Sequence, residues 1–365
     1  MMKLKTNFMM LALAAGMVFT ACKKETKDEP TPPTPEDKGY SIGVLIANEG
    51  SFGAGNGSIS YYNAEKDSVA NDLFKTINDF PLGDVLQSVY RGETNTYACV
   101  NASNKIEVIN SKTFESVATI SNIPLPRFSV EKDGKLYVSC WGNGGQIKVI
   151  DAANNTVIDS IMVGSGPEGL TIVENKLYVA NSGGYSIDST ISVIDLNNHS
   201  VSTIVLDAYN PSSLVVDAEN NVWVLAKGST IYDANWQVIG HHPSKLFTIN
   251  SASNTIIKVI DLFAEKHPVK IDISKDSQTI YYGSGFGFNG IYKVDIKENI
   301  SSLVPVIEGD FYGFIINKEN DEIFALTAPF GANGTLTRYT STGDKIKDYE
   351  VGIFPNGGDS KGIEN

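Results

Sequence analysis

Short apolar segments recur along the chain at a nearly constant interval. One pattern, apolar-x-apolar-x-Asn/Asp, reads "ISYYN" at 59, "IEVIN" at 106, "IKVID" at 147, "ISVID" at 191, "LFTIN" at 246, "IYKVD" at 291 and, in degenerate form, "LTRYT" at 336. A second apolar segment precedes each copy, from "VLIAN" at 44 to "IFALT" at 323. Both are rich in valine, isoleucine and tyrosine and stop at turn-forming residues, which is typical of β-strands.

The interval is near 45 residues, and each unit has room for several short strands. This combination predicts an all-β fold, a seven-bladed β-propeller of four-stranded antiparallel blades. Residues 147–181 predict the order within a blade: an innermost strand A, then B, C and an outermost D. The chain enters blade 1 at strand B, so ring closure needs residues after 351–355. The tail "NGGDSKGIEN" is poor strand material and leaves that closure open.

The first residues carry the signature of an export signal. Basic residues precede the apolar run "FMMLALAAGMVF", which predicts a signal peptide over 1–21 and is too short for a transmembrane helix. Residues 19–22, "FTAC", resemble the lipobox of bacterial lipoproteins, which implies lipidation of Cys22; an ordinary secretory cleavage site is the alternative. Residues 22–39 are charged and proline-rich and predict a flexible tether. The domains expected are therefore this tether, a propeller over 40–358 and a tail over 359–365.

The net charge limits which partners the chain could bind, and the cysteine positions indicate whether it forms a disulfide. The net charge is −13, so phosphate would repel the chain and we expect no nucleic-acid partner. Membrane association is expected through the lipid anchor only. Cys99 and Cys140 fall within apolar strand patterns, which predicts two buried thiols and no disulfide.

Motifs for catalysis or metal binding are scarce. There are four histidines, and no His-Glu-x-x-His, Cys-x-x-Cys or EF-hand pattern. "GFGFNG" at 285–290 matches a dinucleotide motif formally, but it lies between two predicted strands, where no helix N-terminus can meet a phosphate. We therefore expect no cofactor, no metal and no catalytic residue. Glu168, His267 and Asp310 are the axial titratable residues that an enzyme could use.

The connections between strands B and C contain the candidate ligand-binding residues. In an antiparallel blade they emerge on the same face as the D–A connections, and six of the seven place an aromatic residue beside glycines. Such rings with neighbouring amides suit a large, flat, polar organic ligand. The candidate ligand-binding residues are Phe52, Asn56, Arg127, Trp141, Glu168, Tyr185, Trp236, Phe286, Phe288, Asp310 and Phe330. The alternative is that these loops pack on one another and plug the axis.

Two resemblances add to this interpretation. "LYVAN", "ISVID" and "VGSGPEGL" resemble the YVTN family of propeller repeats, which implies the fold over 40–358 but no particular activity. The lipobox, the tether and "NEGSFGAGNGSISYYN" at 48–63 resemble a group of Bacteroidetes propeller lipoproteins, and "KDE" at 27–29 resembles their surface-export signal.

The second resemblance implies a function. Some of that group capture cobalamin at the cell surface and pass it to a TonB-dependent outer-membrane transporter. The leading hypothesis is thus a non-catalytic, surface-exposed, outer-membrane lipoprotein that binds a corrinoid or a similar large ligand. A propeller enzyme of the lyase, lactonase or quinoprotein type and a glycan- or protein-recognition propeller are the alternatives.

Overall fold

Four-stranded antiparallel sheets make up nearly all of the computed structural model, which describes residues 39–298 and 303–361. There are seven such sheets in the described chain, and the inner strands of successive sheets contact one another in a ring that returns to the first. The predicted seven-bladed β-propeller is therefore confirmed.

The strands follow the chain in blade order. Blades 1 to 3 contain β1 (Gly43–Asn48), β2 (Ser58–Asn63), β3 (Ser68–Ala70), β4 (Leu86–Arg91), β5 (Asn95–Val100), β6 (Lys105–Asn110), β7 (Ser116–Ser121), β8 (Pro126–Lys132), β9 (Lys135–Cys140), β10 (Gln146–Asp151) and β11 (Thr156–Met162). Blades 4 and 5 contain β12 (Pro167–Val173), β13 (Lys176–Asn181), β14 (Thr190–Asp195), β15 (Val201–Val205), β16 (Pro211–Val216), β17 (Val222–Ala226), β18 (Ser229–Tyr232), β19 (Val238–His242), β20 (Ser244–Asn250) and β21 (Thr255–Phe263). Blades 6 and 7 contain β22 (Lys270–Ile273), β23 (Thr279–Gly283), β24 (Asn289–Asp295), β25 (Ile307–Asp310), β26 (Gly313–Ile316), β27 (Ile323–Thr327), β28 (Asn333–Tyr339) and β29 (Lys345–Ile353), and β30 (Pro355–Lys361) ends the described chain.

Each blade has the predicted order, with strand A innermost and strand D outermost. The B–C loops and the D–A connections therefore emerge at one end of the ring, which we call the loop face. Blade 5 departs from the pattern, because β18 and β19 form a separate hairpin inserted between strands B and C. One short helix, α1 (Leu73–Asn78), lies in the D–A connection of blade 1, and one 3₁₀ turn (Gly142–Gly144) lies in the B–C loop of blade 3.

The core lies between the blades. Strands B and C are buried on both faces, and the buried apolar residues of the described chain fall into seven clusters, each joining two neighbouring blades. Cys99 and Cys140 are both buried as free thiols, with no disulfide between them, in the cluster between blades 2 and 3, as predicted. Trp223 is buried between blades 5 and 6, and its indole N–H donates to Asp217 at 2.8 Å.

The tail closes the ring. Strand β30 pairs with β1 and supplies the missing strand A of blade 1, and it extends past residue 358 to Lys361. Its glycines allow neighbouring strands to approach closely, since a Cβ on Gly358 would lie 1.8 Å from the carbonyl oxygen of Leu45. Arg91 of blade 2 fastens the strand through an ion pair with Asp359, with Nη1 2.9 Å from Oδ1.

The described residues contain no helix with the length and apolar character needed to cross a membrane. The predicted signal peptide and the tether up to residue 38, including the lipidation site Cys22, lie outside the described residues.

Candidate functional site

A cavity of about 500 Å³ runs into the centre of the ring from the loop face. Its wall comes from the inner strands of blades 1 to 6, and its mouth comes from B–C loops and the D–A connection before blade 7. We call this space the axial cavity. Its volume falls within the range of small-molecule binding sites in proteins.

Irregular pairing near the start of strand A directs polar side chains into the axial cavity. The A–B register shifts between Pro126 and Ser129 in blade 3, and equivalent shifts occur in blades 2, 4 and 5. A bulge in a strand changes the direction of the side chain that it contains. The residues within these shifts that line the cavity include Gln87, Arg127, Glu168 and Ser212. Proline begins three of these strands, a position where its missing N–H costs no ladder bond.

A second set of lining residues follows directly after strand B. Glu49 follows β1, Trp141 follows β9 and Lys227 follows β17. Because equivalent positions of a propeller lie at the same height, these three side chains meet the bulged residues of strand A at the mouth. The axial cavity is thus lined by two rings of residues, each drawn from one position of the repeat.

Arg127 and Glu168 form a bidentate pair at the mouth. The guanidinium Nη2 lies 2.7 Å from Oε1 of Glu168, and Nε lies 3.0 Å from Oε2. The guanidinium also lies over the indole ring of Trp141, 4.1 Å from its centroid, which is cation–π geometry. Tyr185 packs edge-on against the ring of Trp141, with 5.4 Å between centroids. Arg127 therefore links a charged pair to an aromatic surface.

Glu49 also lines the axial cavity, close enough to Arg127 and Glu168 for their charges to act on its pKa. Its carboxylate accepts hydrogen bonds from Asn356 Nδ2 at 2.8 Å and from the hydroxyl of Tyr312 at 3.0 Å. Burial raises the pKa of Glu49, and the two hydrogen bonds act in the opposite direction. The side chain is thus held in place while its charged form is disfavoured.

Large exposed aromatic residues lie in the loops of the loop face. Phe52, Tyr185, Trp236, Phe286 and Phe330, in five different B–C loops, are each between 78% and 95% exposed. We call these five residues the aromatic rim. Four rings form a continuous arc, since Phe286 contacts Tyr312 and Phe330 contacts Phe354, with Tyr312 and Phe354 in contact between them. The exposed rings do not pack into a plug over the axis.

The predicted binding residues are distributed unevenly around this site. Arg127, Trp141, Glu168 and Phe286 line the axial cavity. Phe52, Tyr185, Trp236 and Phe330 lie on the aromatic rim and do not line the cavity. Asn56 shapes its own loop, because its Oδ1 accepts the N–H of Ser51 at 2.8 Å. Asp310 ends the outer strand β25 and is exposed outside the cavity.

Phe288 corrects the interpretation of its loop. Only 2% of its surface is exposed, and it packs in the core beside Trp223 and Tyr282. The motif at 285–290 forms the turn between β23 and β24, so Phe286 projects outward at its tip while Phe288 returns toward the sheet. The ring of Phe288 is not offered to a ligand.

The three axial residues considered for an enzyme do not converge. Glu168 is paired with Arg127, and Asp310 lies outside the cavity. His267 faces the hairpin of blade 5, where His241 Nδ1 lies 3.1 Å from its Nε2. Within residues 39–298 and 303–361, no three His, Cys, Asp or Glu side chains are grouped as metal ligands.

The sequence analysis missed several cavity residues, among them Glu49, Gln87, Lys227, Lys270 and Asn356. The position of a residue within the repeat would have identified part of this set. Gln87 and Ser212 occupy the strand A position of Arg127 and Glu168, and Glu49 and Lys227 occupy the post-B position of Trp141. Aligning the repeats by position, rather than by aromatic content, identifies these residues.

The fold and the cavity define this chain as a seven-bladed propeller with an axial pocket on its loop face. Residues 42–357 match the family described as "Domain of unknown function (DUF5074)", and the chain belongs to that family. No curated protein matches the sequence significantly.

Solved structures with the same fold are distant in sequence. The "putative 6-phosphogluconolactonase" of Bacteroides fragilis is 13% identical, with a TM-score of 0.62 over 90% of this chain and 99% of that chain. A protein of the same description from Bacteroides uniformis is 12% identical, with a TM-score of 0.62 over 86% and 98% of the two chains. Hydrazine synthase of Kuenenia stuttgartiensis is 14% identical, with a TM-score of 0.58 over 74% and 88%. These similarities establish the propeller fold alone.

Proposed function

We propose that this chain is a non-catalytic, ligand-binding propeller that captures a large, flat, polar organic molecule, a corrinoid such as cobalamin, on its loop face. The observation that carries the proposal is the aromatic rim, five exposed aromatic residues in the loops of the face at which the axial cavity opens. Exposed apolar surface of this extent is costly to keep on a monomer and marks an interaction surface.

The arrangement suits a ligand that is wide and only partly inserted. The rim offers ring faces and edges for stacking, while Arg127, Glu168 and Glu49 at the mouth offer charged and hydrogen-bonding groups that fix orientation. The axial cavity of about 500 Å³ can hold a side arm of the ligand beneath the rim. Loops held by rigid blades lose little conformational freedom on binding, which favours affinity.

The cellular setting is part of the same proposal. Lipidation at Cys22 would anchor the chain in the outer membrane, and residues 22–39 would act as a tether that holds the propeller at the cell surface. The partner is then a TonB-dependent outer-membrane transporter that receives the ligand. A Cys22→Ala variant should lose labelling with a radioactive fatty acid and be released from membranes. Labelling that persists would contradict the anchor.

Titration with cyanocobalamin tests the ligand. The chain without its signal peptide should bind with micromolar or tighter affinity, measured by isothermal titration calorimetry. A Trp141→Ala/Phe286→Ala variant should bind at least about tenfold more weakly, since each ring contributes stacking worth about 1 kcal/mol. Ile158→Ala, which removes an exposed apolar side chain from outer strand β11, is the matched control and should bind normally.

A negative titration, together with two further assays, would decide between the alternative functions. No heat with cyanocobalamin at micromolar concentration would contradict the corrinoid proposal. A positive glycan array for the same protein would then place a sugar on the rim, because sugars also stack on aromatic rings. A rate of lactone hydrolysis that depends on Glu49 would instead indicate an enzyme.

A further inference from the structure

Two lysine side chains in the wall of the axial cavity lack a counter-ion. Lys227 follows β17 and Lys270 begins β22, and both line the cavity. Within the described parts of the chain, neither amine has a hydrogen-bond acceptor or an ion-pair partner. The Nζ atom of Lys270 lies 5.9 Å from the ring centroid of Phe314, and the missing side chain of Gly357 leaves room for it.

The other charges near these amines are already paired. Glu168 is held by Arg127 through three hydrogen-bond contacts. Asp272 is held by Lys318, with Nζ 2.6 Å from Oδ1, and it also accepts the N–H of Ile316 at 2.8 Å. Asp272 still attracts Lys270 through space, but it forms no ion pair with it. The two acids most able to neutralise the lysines are therefore committed elsewhere.

Glu49 is one carboxylate against two lysines, and its oxygens are already engaged. They accept hydrogen bonds from Asn356 Nδ2 and from the hydroxyl of Tyr312, and the carboxylate forms no ion pair with Lys227 or Lys270. Burial lowers the pKa of Lys227 and of Lys270, with Glu168 and Asp272 respectively acting in the opposite direction. Both amines line the cavity without an acceptor, so a bound anion would supply a counter-charge and the missing hydrogen-bond acceptors. This positive excess is notable in a chain with a net charge of −13.

One more donor points to the same conclusion. Arg127 uses Nε and Nη2 on Glu168, whereas its Nη1 has no acceptor in residues 39–298 or 303–361. A guanidinium fixed by one carboxylate is well placed to offer its remaining N–H groups to a second oxyanion. Three cationic groups thus surround one cavity with donors to spare.

We infer that the axial cavity is an oxyanion subsite in which Lys227, Lys270 and Arg127 bind a phosphate or carboxylate group of the ligand. This inference rests on the proposed ligand-binding function and adds the chemical class of the group that enters the cavity. The aromatic rim then holds the body of the ligand, and the cavity holds its anionic arm. The fit to a corrinoid is direct, since cobalamin carries a phosphodiester in its nucleotide arm and cobinamide does not.

The first experiment uses inorganic phosphate and succinate as probes at constant ionic strength. Wild-type protein should show a saturable rise in melting temperature with at least one of them, and the probe that acts distinguishes phosphate from carboxylate. A Lys227→Met/Lys270→Met variant should lose the saturable rise. Lys66→Met, in the exposed C–D turn of blade 1, should behave as wild type. Equal responses from the double variant and wild type, or no saturable response in wild type, would overturn the subsite.

The folding of the double variant gives an independent readout. If the lysines serve a ligand, the ligand-free variant should melt no lower than wild type, because two amines without acceptors have been removed from the wall. A lower melting temperature with unchanged phosphate binding would assign them a structural role and contradict the inference.

A second experiment separates this inference from the proposed function. Cyanocobalamin should bind wild type at least about tenfold more tightly than dicyanocobinamide, and the double variant should abolish the difference. Binding of both corrinoids with no preference, in wild type and variant alike, would refute the subsite and leave the proposed function intact. Phosphate binding that depends on the lysines, without any corrinoid binding, would retain the subsite and refute the corrinoid.

Discussion

Two arginine–carboxylate pairs in this propeller have the same chemistry and different surroundings. Every guanidinium nitrogen of Arg91 donates within the fold: Nη1 to Asp359 and to the carbonyl of Gly43, Nε to the carbonyl of Tyr40 and Nη2 to that of Ile42. Arg127 at the cavity mouth uses only two nitrogens, both on Glu168, and stacks on Trp141. Arg91, whose guanidinium nitrogens all donate within the fold, holds the ring closed. Arg127, which has a nitrogen without an acceptor in the described chain, keeps donors for a ligand.

The two arginines also differ in how far along the chain their partners lie. Arg91 joins elements from opposite ends of the chain, since its partners are residues 40–43 and Asp359. Arg127 and Glu168 occupy equivalent positions of neighbouring blades. Loss of the first pair should open the ring, and loss of the second should change one site.

The largest effect is expected for Arg91→Met. It leaves Asp359 without its partner and removes the donors that hold β30 against blade 2, and breaking a buried pair costs about 3–5 kcal/mol. The urea midpoint should fall accordingly. If the variant does not fold, Asp359→Asn keeps a polar partner and should give a smaller, measurable loss. A change below about 1 kcal/mol in both variants would mean that the pair does not hold the closure.

Arg127→Met should lower the free energy of unfolding less than Arg91→Met does, and it should lower ligand affinity more. The pair is partly hydrated at the mouth, and losing hydrogen bonds to a charged group costs about 1.5–3 kcal/mol. Cyanocobalamin affinity should fall at least about tenfold, while the folded fraction of Asp359→Asn should bind as wild type. Equal binding losses in the two variants would erase the distinction between the arginines.

The aromatic rim provides the opposite test, with affinity changed and stability unchanged. Phe52→Ala and Phe330→Ala remove rings that are almost fully exposed, so unfolding free energies should change by less than about 0.5 kcal/mol. Cyanocobalamin affinity should fall by about threefold to tenfold in each. Phe288→Ala serves as the contrast, because it creates a core cavity and should cost about 3–5 kcal/mol of stability. Loss of stability at Phe52 would show that its loop has a packing role.

The sequence predicted the blades well because strands B and C are buried on both faces. Their apolar runs, such as "LYVAN" and "ISVID", repeat at each blade. Strand A was less visible, since it faces the cavity and uses small or polar residues. The closing strand "PNGGDSK" illustrates this: its glycines permit close approach to the chain, and its Asp359 pairs with Arg91, yet neither feature is typical of a strand.

The site could be predicted only in part for a related reason. Exposed aromatic residues in glycine-rich loops stand out in a sequence, and five of them do form the rim. Charged residues at the cavity owe their position to bulges and to the convergence of distant blades. Nothing local to Lys270 indicates that its amine reaches Gly357 across the ring, or that Asn356 meets Glu49. Such contacts follow from closure and not from pattern.

The smallest effect is expected for Glu49→Gln, and its sign is informative. Since burial raises the pKa of Glu49 above its unfolded value, the native state binds the proton more tightly, and stability falls as pH rises from about 4.5 through the folded pKa. Glutamine mimics the protonated form, so at pH 7 the variant should unfold at a slightly higher urea concentration than wild type. The difference should shrink as the pH is lowered toward 4.5. A variant less stable than wild type at pH 7 would show that the hydrogen bonds from Asn356 and Tyr312 outweigh burial, and Glu49 would then resemble Arg91 as a structural residue.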